Sequence, residues 1–498
     1  MKPAAIKIPC AVHPKPLRVM AGISLVSYGV IIALSLSACS FAPKYKQPMM
    51  SIPAHYKETG QWIKLQAPAA FTQSNLPWWT LFHDNTLNAL ENQVTSHNQN
   101  LKIALAQYQK ALAYAQEVRS NLYPAITGVG TVARQQSAKN AANSGTSKLL
   151  FNTFLLGADF NYEVDAWGRV RNAVIASNNL AKASEFDLAA VDLSLHAELA
   201  NDYFQLRGFD ESQRLLDTTV IAYQKALYLT QQRHQGGIVP ITDVDQAITQ
   251  VENAKTLAAD NQLKRAQLEH AIAVLIGQAP ANFTLASKKI RQKPVVIAPD
   301  LPSSLLAHRP DIAAAERRVQ AANASIGVAI AAFFPEFNLI SLIGYQSDKL
   351  SNLFSAPSLF WSLGPSTAMT LIQPELSVVI FDGYKLQAQL KYAKASYFET
   401  VSQYRQTVLT AFQEVEDALV AIHRLKQEHH SQAASTVAAK DAWFQENQRY
   451  KGGIATFLDV VVTENQALQS ELALIDIKTR QQLSCVQLIK ALGGGWQL

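Results

Sequence analysis

The sequence has 498 residues, of which 48% are hydrophobic and only 16% are charged, so it is long enough for two or three ordinary domains. Its formal net charge is +6, but residues 1–38 hold four basic residues and no acidic one, and without them the charge is +2. A chain this close to neutral gives no electrostatic reason to expect a nucleic-acid partner.

The first 38 residues have the pattern of a bacterial lipoprotein signal peptide. Basic residues up to Arg18 precede an uncharged run, residues 19–38, which ends in Leu36-Ser37-Ala38-Cys39. We expect the Cys39 thiol to carry a diacylglyceryl group and Cys39 to become the mature amino terminus. Ser40 after it favours the outer membrane over the inner one. The alternative is an uncleaved membrane helix, because about 20 apolar residues can span a bilayer.

Three cysteines are present, and no disulfide is expected within the mature chain. Cys10 leaves with the signal peptide, Cys39 is the lipidation site, and Cys485 lies alone in a helical pattern as a small buried residue. Residues 39–77 are expected to form an extended tether, because they are rich in proline and polar residues. Trp78-Trp79 then opens a helical region, and the two tryptophans are expected to anchor the core.

The period of the pattern changes to two after Pro124. In residues 154–165, apolar side chains alternate with a mostly polar, partly acidic set, which indicates a strand with one apolar and one wet face. Residues 337–345 show a similar pattern and residues 369–381 are expected to pair with them, which gives four strands per chain. Four strands cannot close a barrel in lipid, so an apolar face in the membrane requires several chains to share one barrel. The alternative is a soluble sheet packed under the helices.

Residues 168–234 and 385–450 contain no proline and are predicted to form two very long helices. At 1.5 Å per residue, each could reach roughly 100 Å. In the second, apolar residues step by three or four from Leu386 to Ile422, which is the continuous packing stripe of a coiled coil. Helices of this length cannot fold over a compact core and are expected to project as a rod or tube.

The most informative stretch occurs twice, as RHQGGIVPITDV in residues 233–244 and as RYKGGIATFLDV in residues 449–460. Six of the twelve positions are identical, and each copy follows one of the long helices. A glycine pair in this position provides the left-handed residue that ends a helix, so each copy is expected to form the tip of a helical hairpin. Matching positions continue at offsets of 216 and, upstream, 211 residues. The chain is therefore predicted to be two tandem copies of one unit, residues 78–300 and 301–498.

These features resemble the TolC-like outer-membrane efflux proteins, specifically their lipidated branch. The match covers nearly the whole mature chain and includes the Pro43-x-Tyr45-x-x-Pro48 tether and the Trp78-Trp79-x-x-Phe82-x-Asp84 entry. Its most specific part is Leu306-x-x-Arg309-Pro310-Asp311-Ile312-x-x-Ala315-Glu316. In this motif Pro310 suits a first helical turn and Asp311 suits the helix dipole, so the motif is interpreted as structural.

The resemblance implies a homotrimer in which each chain gives four strands to one 12-stranded membrane β-barrel and its long helices to a coiled-coil α-helical barrel. The fold class is therefore mainly α with a membrane β-barrel and an internal tandem repeat. The hairpin tips would close a gate and dock onto a periplasmic adaptor protein joined to an inner-membrane pump. The docking residues that the resemblance implies are the two glycine pairs, Gly236, Gly237, Gly452 and Gly453.

The resemblance also implies gate residues near the second tip. Asp459 falls where relatives place an acidic ring that lines the constriction, and three like charges held close favour hydrated cations. Asp243 and Tyr450 match members of a polar tie between the inner and outer coils. Two departures change the expected gate, since the arginine of that tie corresponds to Ala455 and a second acidic ring corresponds to Val462. The alternative for Asp459 is a solvated carboxylate at the start of a helix.

The sequence contains no HExxH, CxxC, GxSxG or GxxxxGK[ST] pattern, so no catalytic residue, metal site or cofactor is expected. The expected function is a passive, gated outer-membrane duct of a tripartite efflux system that exports drugs or other small molecules. Two alternatives stay open at this point. One is the same duct in a type I protein secretion system, and the other is a structural periplasmic coiled-coil lipoprotein without a pore.

Overall fold

The computed structural model describes residues 40–58, 77–136, 150–289, 295, 302–365 and 381–495. Within these residues, eight α-helices and four β-strands follow one another in this order: α1 (Asn85–His97), α2 (Gln99–Ser120), β1 (Ala125–Gln136), β2 (Leu150–Val164), α3 (Arg169–Gln235), α4 (Ile241–Leu275), α5 (Pro302–His308), α6 (Pro310–Ala331), β3 (Phe337–Ser347), β4 (Leu359–Pro365), α7 (Lys385–Lys451) and α8 (Phe457–Ala491). Two helices, two strands and a helical hairpin occur twice in the same order, which is the order expected of a tandem duplication.

The chain divides into two compact units, and each contains residues from both halves of the sequence. The strand unit includes Asn121–Asn172 and Gly327–Leu386, and the helical unit includes Pro43–Ser120, Ala173–Ile326 and Gln387–Leu498. The two predicted repeats therefore contribute to both units, because each repeat supplies two strands and a set of helices.

The core of the helical unit is built from matching positions of the two repeats. The buried pairs are Val94 and Leu305, Leu199 and Val415, Tyr203 and Leu419, and Ile272 and Leu488. Trp78 is buried in the same core, as predicted, and Trp79 stacks on the buried His196 with 4.3 Å between the ring centroids. Burial of such side chains contributes about 25 cal/mol for each Å² of apolar surface removed from water.

Both predicted long helices are present, and α3 and α7 are each 67 residues long. The predicted stripe on α7 is buried from Val401 to Leu419 and half-buried from Leu386 to Tyr397. Returning helices α4 and α8 each have 35 residues and complete the two hairpins. Among the described residues, no helix combines the length and the apolar character needed to cross a membrane.

The described part of the tether contains no helix or strand, and from Pro43 onward it belongs to the helical unit. Near its start, the Tyr45 hydroxyl donates a hydrogen bond to Glu316 over 3.3 Å. Near its end, the backbone N–H groups of Lys57 and Glu58 both donate to the Glu416 carboxylate, over 2.7 and 3.0 Å. Side chains of the helices therefore satisfy the backbone groups that a sheet would otherwise pair.

The four strands form one antiparallel sheet in sequence order. The register collects apolar residues of all four strands on one face, where Val132 lies opposite Phe154, and Ile343 lies between Ala158 and Trp361. Trp361 on this face is 72% exposed. Because side chains alternate along a strand, the acidic residues of β2 lie on the other face. The predicted strand with one apolar and one polar face is confirmed.

The strand that pairs with β3 differs from the expected one. Residues 359–365 form β4 and pair with β3, whereas residues 369–381 were expected to do so. Of the expected segment only Phe381 lies within the described residues, and it is not in a strand. The choice of partner depends on register and on the length of the connection, which the alternation of apolar residues does not encode.

Candidate functional site at the hairpin tips

The two long helices end in the same hydrogen-bonded cap. At the end of α3, the N–H of Ile238 donates to the carbonyl of Arg233 and the N–H of Gly237 donates to the carbonyl of His234, both over 2.9 Å. The equivalent bonds at the end of α7 measure 2.9 and 3.0 Å. This is a Schellman motif, and Gly237 and Gly453 supply its left-handed residue with φ of 68° and 75°. Each copy of the repeated stretch therefore forms the tip of a hairpin, as predicted.

All four tip glycines are exposed to solvent. A Cβ atom at Gly237 or Gly453 would meet no atom within 4 Å, and one at Gly236 or Gly452 would lie 3.5 Å from the nearest carbonyl oxygens. The space around the tips would therefore admit a side chain. The left-handed φ of the second glycine in each pair is the constraint that selects glycine there.

The two returning helices begin differently. Helix α4 begins after Pro240, which has no side-chain group to cap it, and Asp243 lies half-buried in its first turn. Helix α8 begins with a capping box between Thr456 and Asp459. The Asp459 N–H donates to Thr456 Oγ1 over 3.3 Å, and the Asp459 carboxylate accepts from the Thr456 N–H over 3.0 Å. The capping box therefore satisfies backbone N–H groups that a helix start leaves free.

The Asp459 carboxylate is exposed and charged. Hydrogen bonds from the side chain and backbone of Thr456 lower its pKa below the usual value, and Arg449 adds a smaller effect in the same direction. Val462 lies one turn later on the same face of α8 and is 59% exposed. On this exposed face of α8, the charged Asp459 is therefore followed by the apolar Val462.

The tips of the two hairpins are in contact with each other. The guanidinium carbon of Arg233 lies 5.2 Å from the ring centroid of Tyr450. The Tyr450 ring lies 5.6 Å from that of Phe457, and Phe457 is buried with Ala247 of α4. The Tyr450 hydroxyl has no hydrogen-bond partner in the part of the chain that the structure describes, so Asp243 is not bonded to it. The ring of Tyr450, rather than its hydroxyl, joins it to the first hairpin.

Apolar side chains are exposed at matching positions of the two hairpins. At the tips, Ile238 and Ile454 are 73% and 74% exposed. Two further exposed pairs lie on α3 and α7, namely Ile221 with Val437 and Tyr228 with Phe444. Their spacing of seven residues places them on one face of each helix.

A second candidate site lies where the described chain begins, in the strand unit. Phe41 stacks on Phe334 with ring centroids 4.7 Å apart, and its centroid is 6.1 Å from that of Trp167. The Trp167 indole N–H donates to the carbonyl of Pro335 over 2.8 Å. Since Trp167 follows β2 and Phe334 precedes β3, this aromatic group lies at strand ends. The predicted lipidation site, Cys39, lies outside the described residues.

Sequence reasoning missed Arg233 and Thr456 as members of the tip site. The Thr-x-x-Asp spacing before an apolar run resembles a capping box and could have identified Thr456. Arg233 gives no such signal, because its aromatic partner belongs to the other hairpin. Elsewhere, Cys485 is buried as predicted, and burial raises the pKa of its thiol to about 11. No group of three or more His, Cys, Asp or Glu residues placed to hold a metal ion occurs within the described ranges.

The family model of outer membrane efflux proteins matches residues 90–278 and 301–494, one segment in each repeat. The chain belongs to the outer membrane efflux protein family. The outer membrane protein OprJ of Pseudomonas aeruginosa is 31% identical over 471 residues, which cover 94% of this chain and 95% of OprJ. The toluene efflux pump outer membrane protein TtgC of Pseudomonas putida is 30% identical over 474 residues, which cover 95% and 96%. The outer-membrane channel OprN has a TM-score of 0.83 and 28% identity, with 92% of this chain and all of OprN covered.

As an outer membrane efflux protein, this chain is the outer-membrane channel component of a tripartite efflux system. A trimer, a periplasmic adaptor and an inner-membrane pump follow from that role. The expected fold class is confirmed, because the structural relatives are trimeric channels that combine a helical barrel with a β-barrel. The alternatives of a soluble sheet and of a structural lipoprotein without a pore are set aside.

Proposed function

We propose that this protein is a lipid-anchored, passive exit duct for small molecules, which is gated at its hairpin tips and powered by the inner-membrane pump. The contact between the two tips supports this proposal most directly. There, Arg233 and Tyr450 join the ends of α3 and α7. Helix α8, which follows the second tip, exposes the Asp459 carboxylate and the apolar Val462 side chain near its start. Small molecules are supported as cargo by the relative TtgC, whose name specifies toluene efflux.

The surroundings of Phe41 support lipidation of Cys39. Aromatic side chains gather where a membrane meets water, and Phe41, Trp167 and Phe334 form such a group at the ends of β2 and β3. Cys39 precedes Phe41 by two residues, so acyl chains on Cys39 would enter the bilayer beside the apolar face of the sheet. Each buried methylene group adds about 0.8 kcal/mol, and more than one chain is needed for stable anchoring.

We assign Asp459 and Val462 to the gate. In a trimer, three ionised Asp459 side chains would surround the duct at one level, where like charges select for cations. The capping box with Thr456 holds each carboxylate at the helix start. Val462 would form the next layer, and an apolar constriction can close a channel by excluding water.

Asp459→Asn is expected to lower the cation selectivity of the duct severalfold and to leave its leak nearly unchanged. The substitution removes the charge, while the amide oxygen can still accept from the Thr456 N–H. Thr456→Ala is the matched control, because it weakens the cap by about 1 kcal/mol, keeps the charge and should raise the leak without changing selectivity. Reversal potentials of single channels in a salt gradient measure both effects. Unchanged selectivity in Asp459→Asn would remove Asp459 from the pore lining.

The exposed apolar residues at matching positions of the two hairpins support docking of the adaptor at the tips. The four tip glycines, Gly236, Gly237, Gly452 and Gly453, are then part of the docking site. Inside the chain, one flank of each hairpin is covered by the other hairpin. The joint between neighbouring chains is expected to use the same flanks of the hairpins as the joint within a chain. If trimer formation covered Ile238 or Ile454, its equivalent in the other hairpin would already be covered within the chain. Both are about three-quarters exposed, so neighbouring copies leave both free. Tyr228 and Phe444 add exposed apolar side chains on α3 and α7, seven residues after Ile221 and Val437, at a spacing that one face of a helical partner would match.

Ile238→Glu combined with Ile454→Glu is expected to abolish efflux while leaving the duct assembled. Each charge would be buried against the adaptor without a partner, which weakens docking. The assay measures efflux of a fluorescent substrate from cells that supply the adaptor and pump, together with native mass and single-channel conductance in detergent and bilayers. Ile238→Leu with Ile454→Leu is the control and should retain efflux. Normal efflux by the Glu variant would move the docking surface elsewhere, and a monomer without conductance would contradict the duct itself.

A further inference from the structure

The contact between the two hairpins of one chain predicts the contact between neighbouring chains. Inside the chain, Arg233 lies over Tyr450, and Phe457 is only 7% exposed because it packs beside Ala247 of the first hairpin. This contact uses one flank of each hairpin. A closed trimer contains two hairpins from each of three chains, so joints within chains alternate with joints between chains.

The unused flank of the first hairpin shows where the neighbouring chain fits. Ile241 is the repeat equivalent of Phe457, but it is 53% exposed where Phe457 is 7% exposed. Leu263 is the equivalent of Thr479, and the two are 57% and 6% exposed. In the second repeat these positions pack on the first hairpin of the same chain. Exposed apolar residues at positions that the sister repeat buries indicate that a second copy of this chain covers them.

The same equivalence assigns a specific contact to the joint between chains. Arg449 corresponds to Arg233, and His234 corresponds to Tyr450. The backbones match as well, because the carbonyls of Arg449 and His234 each accept a bond of the helix-end cap over 2.9 Å. We propose that the guanidinium of Arg449 lies over the imidazole of His234 of the partner subunit. This proposal rests on the trimeric duct and is independent of which residues gate it.

The two side chains are able to make this contact. The Arg449 side chain is 56% exposed, and its ion pair with Glu446 over 2.9 Å joins residues three apart on one helix, a kind of pair that contributes less than about 1 kcal/mol. The Nδ1 atom of His234 lies 2.9 Å from the carbonyl oxygen of Val239, which can only accept, so Nδ1 carries the proton.

The joint between chains is weaker than the joint within a chain. The joint between chains lacks the phenol ring of the joint within a chain, and cation–π attraction is attributed to the rings of Trp, Tyr and Phe. When the tips separate, the contact between Arg449 and the partner's His234 is therefore expected to break before the contact between Arg233 and Tyr450. Opening then moves whole chains apart at the tips and leaves the two hairpins of each chain joined.

Cysteine pairs distinguish the two joints. Arg449→Cys with His234→Cys, treated in outer membranes with a short bifunctional thiol reagent, is expected to give covalent dimers and trimers on a denaturing gel. Arg233→Cys with Tyr450→Cys is the matched control, expected to cross-link within the chain and to run as a monomer. The native Cys485 does not interfere, because it is 1% exposed. Each single substitution is expected to give no covalent trimer.

A second variant tests the same contact without cysteine chemistry. His234→Tyr gives the joint between chains the aromatic ring that the joint within the chain has, so it should raise the dissociation temperature of the trimer and lower the open probability severalfold. In an Arg449→Ala background the same change should have no effect. The proposal is wrong if a trimeric sample gives no covalent product between chains, or if His234→Tyr acts equally with and without Arg449. A monomeric wild-type sample would overturn both the trimer and this contact.

Discussion

Gly493→Ala is expected to prevent stable assembly, and Gly277→Ala, its repeat equivalent, to have a similar effect. Gly493 has a φ of 92°, and a methyl group there would overlap the carbonyl oxygen of His308. Gly277 has a φ of 72°, and a methyl group would lie 2.5 Å from the carbonyl oxygen of His97. The left-handed φ costs a non-glycine residue about 1–2 kcal/mol. Because backbone atoms cannot rotate away, we expect a total loss of about 4 kcal/mol or more.

Gly383→Ala separates the two causes of this loss. Gly383 has a φ of 63°, and a Cβ atom there would meet no atom within 4 Å, so this variant carries only the backbone strain. The measurement is the amount of trimer in outer membranes and its dissociation temperature. If Gly493→Ala loses no more stability than Gly383→Ala, the close approach of the helix ends does not matter.

The close contacts of Gly277 and Gly493 are equivalent contacts in the two repeats. Gly277 and Gly493 follow the carboxyl ends of α4 and α8, and His97 and His308 are the last residues of α1 and α5. A short helix ends against a long hairpin in each repeat, and only a residue without a side chain fits between them. The duplication that the sequence predicts therefore extends to individual backbone contacts.

Arg309→Ala is expected to destabilise the helical unit by about 3 kcal/mol. Arg309 is 7% exposed and donates to Asp311 over 2.6 Å, to Glu414 over 2.6 Å and to the carbonyl of Ala491 over 3.1 Å. Burial by itself would lower the pKa of the guanidinium, but the two carboxylates raise it above the usual value. The loss lies at the low end of the range for buried ion pairs, because both carboxylates are partly exposed to water.

Arg318→Ala is the matched control for Arg309→Ala. Arg318 also pairs with a carboxylate, that of Asp187, but the two side chains are 41% and 43% exposed, so the expected loss is below about 1 kcal/mol. Arg309→Lys should fall between the two, since lysine keeps the charge and lacks the planar fork that binds two carboxylates. Thermal unfolding in detergent measures all three variants. Equal losses at Arg309 and Arg318 would contradict the role given to Arg309.

The first repeat forms the same bridge with a different residue. Asn98, which corresponds to Arg309, is buried and donates to the carbonyl of Leu275 over 2.7 Å. Leu275 corresponds to Ala491, the carbonyl partner of Arg309. Both residues therefore hold the last turn of a returning helix, and the interpretation of the Arg309 motif as structural agrees with its contacts.

Features that depend on local pattern could be predicted from the sequence. The long helices follow from two stretches without proline, and the tips follow from glycine pairs at matching positions. The apolar face of β2 follows from simple alternation. Asp459 was assigned to the gate by the resemblance to the family, with a carboxylate at the start of a helix as the alternative, and its hydrogen bonds to Thr456 give it a capping role. The Thr-x-x-Asp spacing carries the signal for this capping role, and the two roles are compatible.

Features that depend on pairing between distant segments could not be predicted. The partner of β3 was expected at residues 369–381, most of which lie outside the described residues, whereas residues 359–365 pair with it. The contact between Arg233 and Tyr450 was also missed, since neither residue has a local feature that specifies the other. In both cases the missing information is the relative position of two elements, which is set by packing of the whole unit rather than by the residues of either segment.

The order of the strands has a consequence for biogenesis. β1 and β4 each pair with one described strand, so the sheet formed by the described residues has two edges whose backbone groups need partners. A single chain therefore cannot complete its sheet as a monomer, and folding of the sheet is coupled to trimer formation. Because a trimer that contains one defective edge cannot pair all its strands, we expect mutations in β1 or β4 to be genetically dominant.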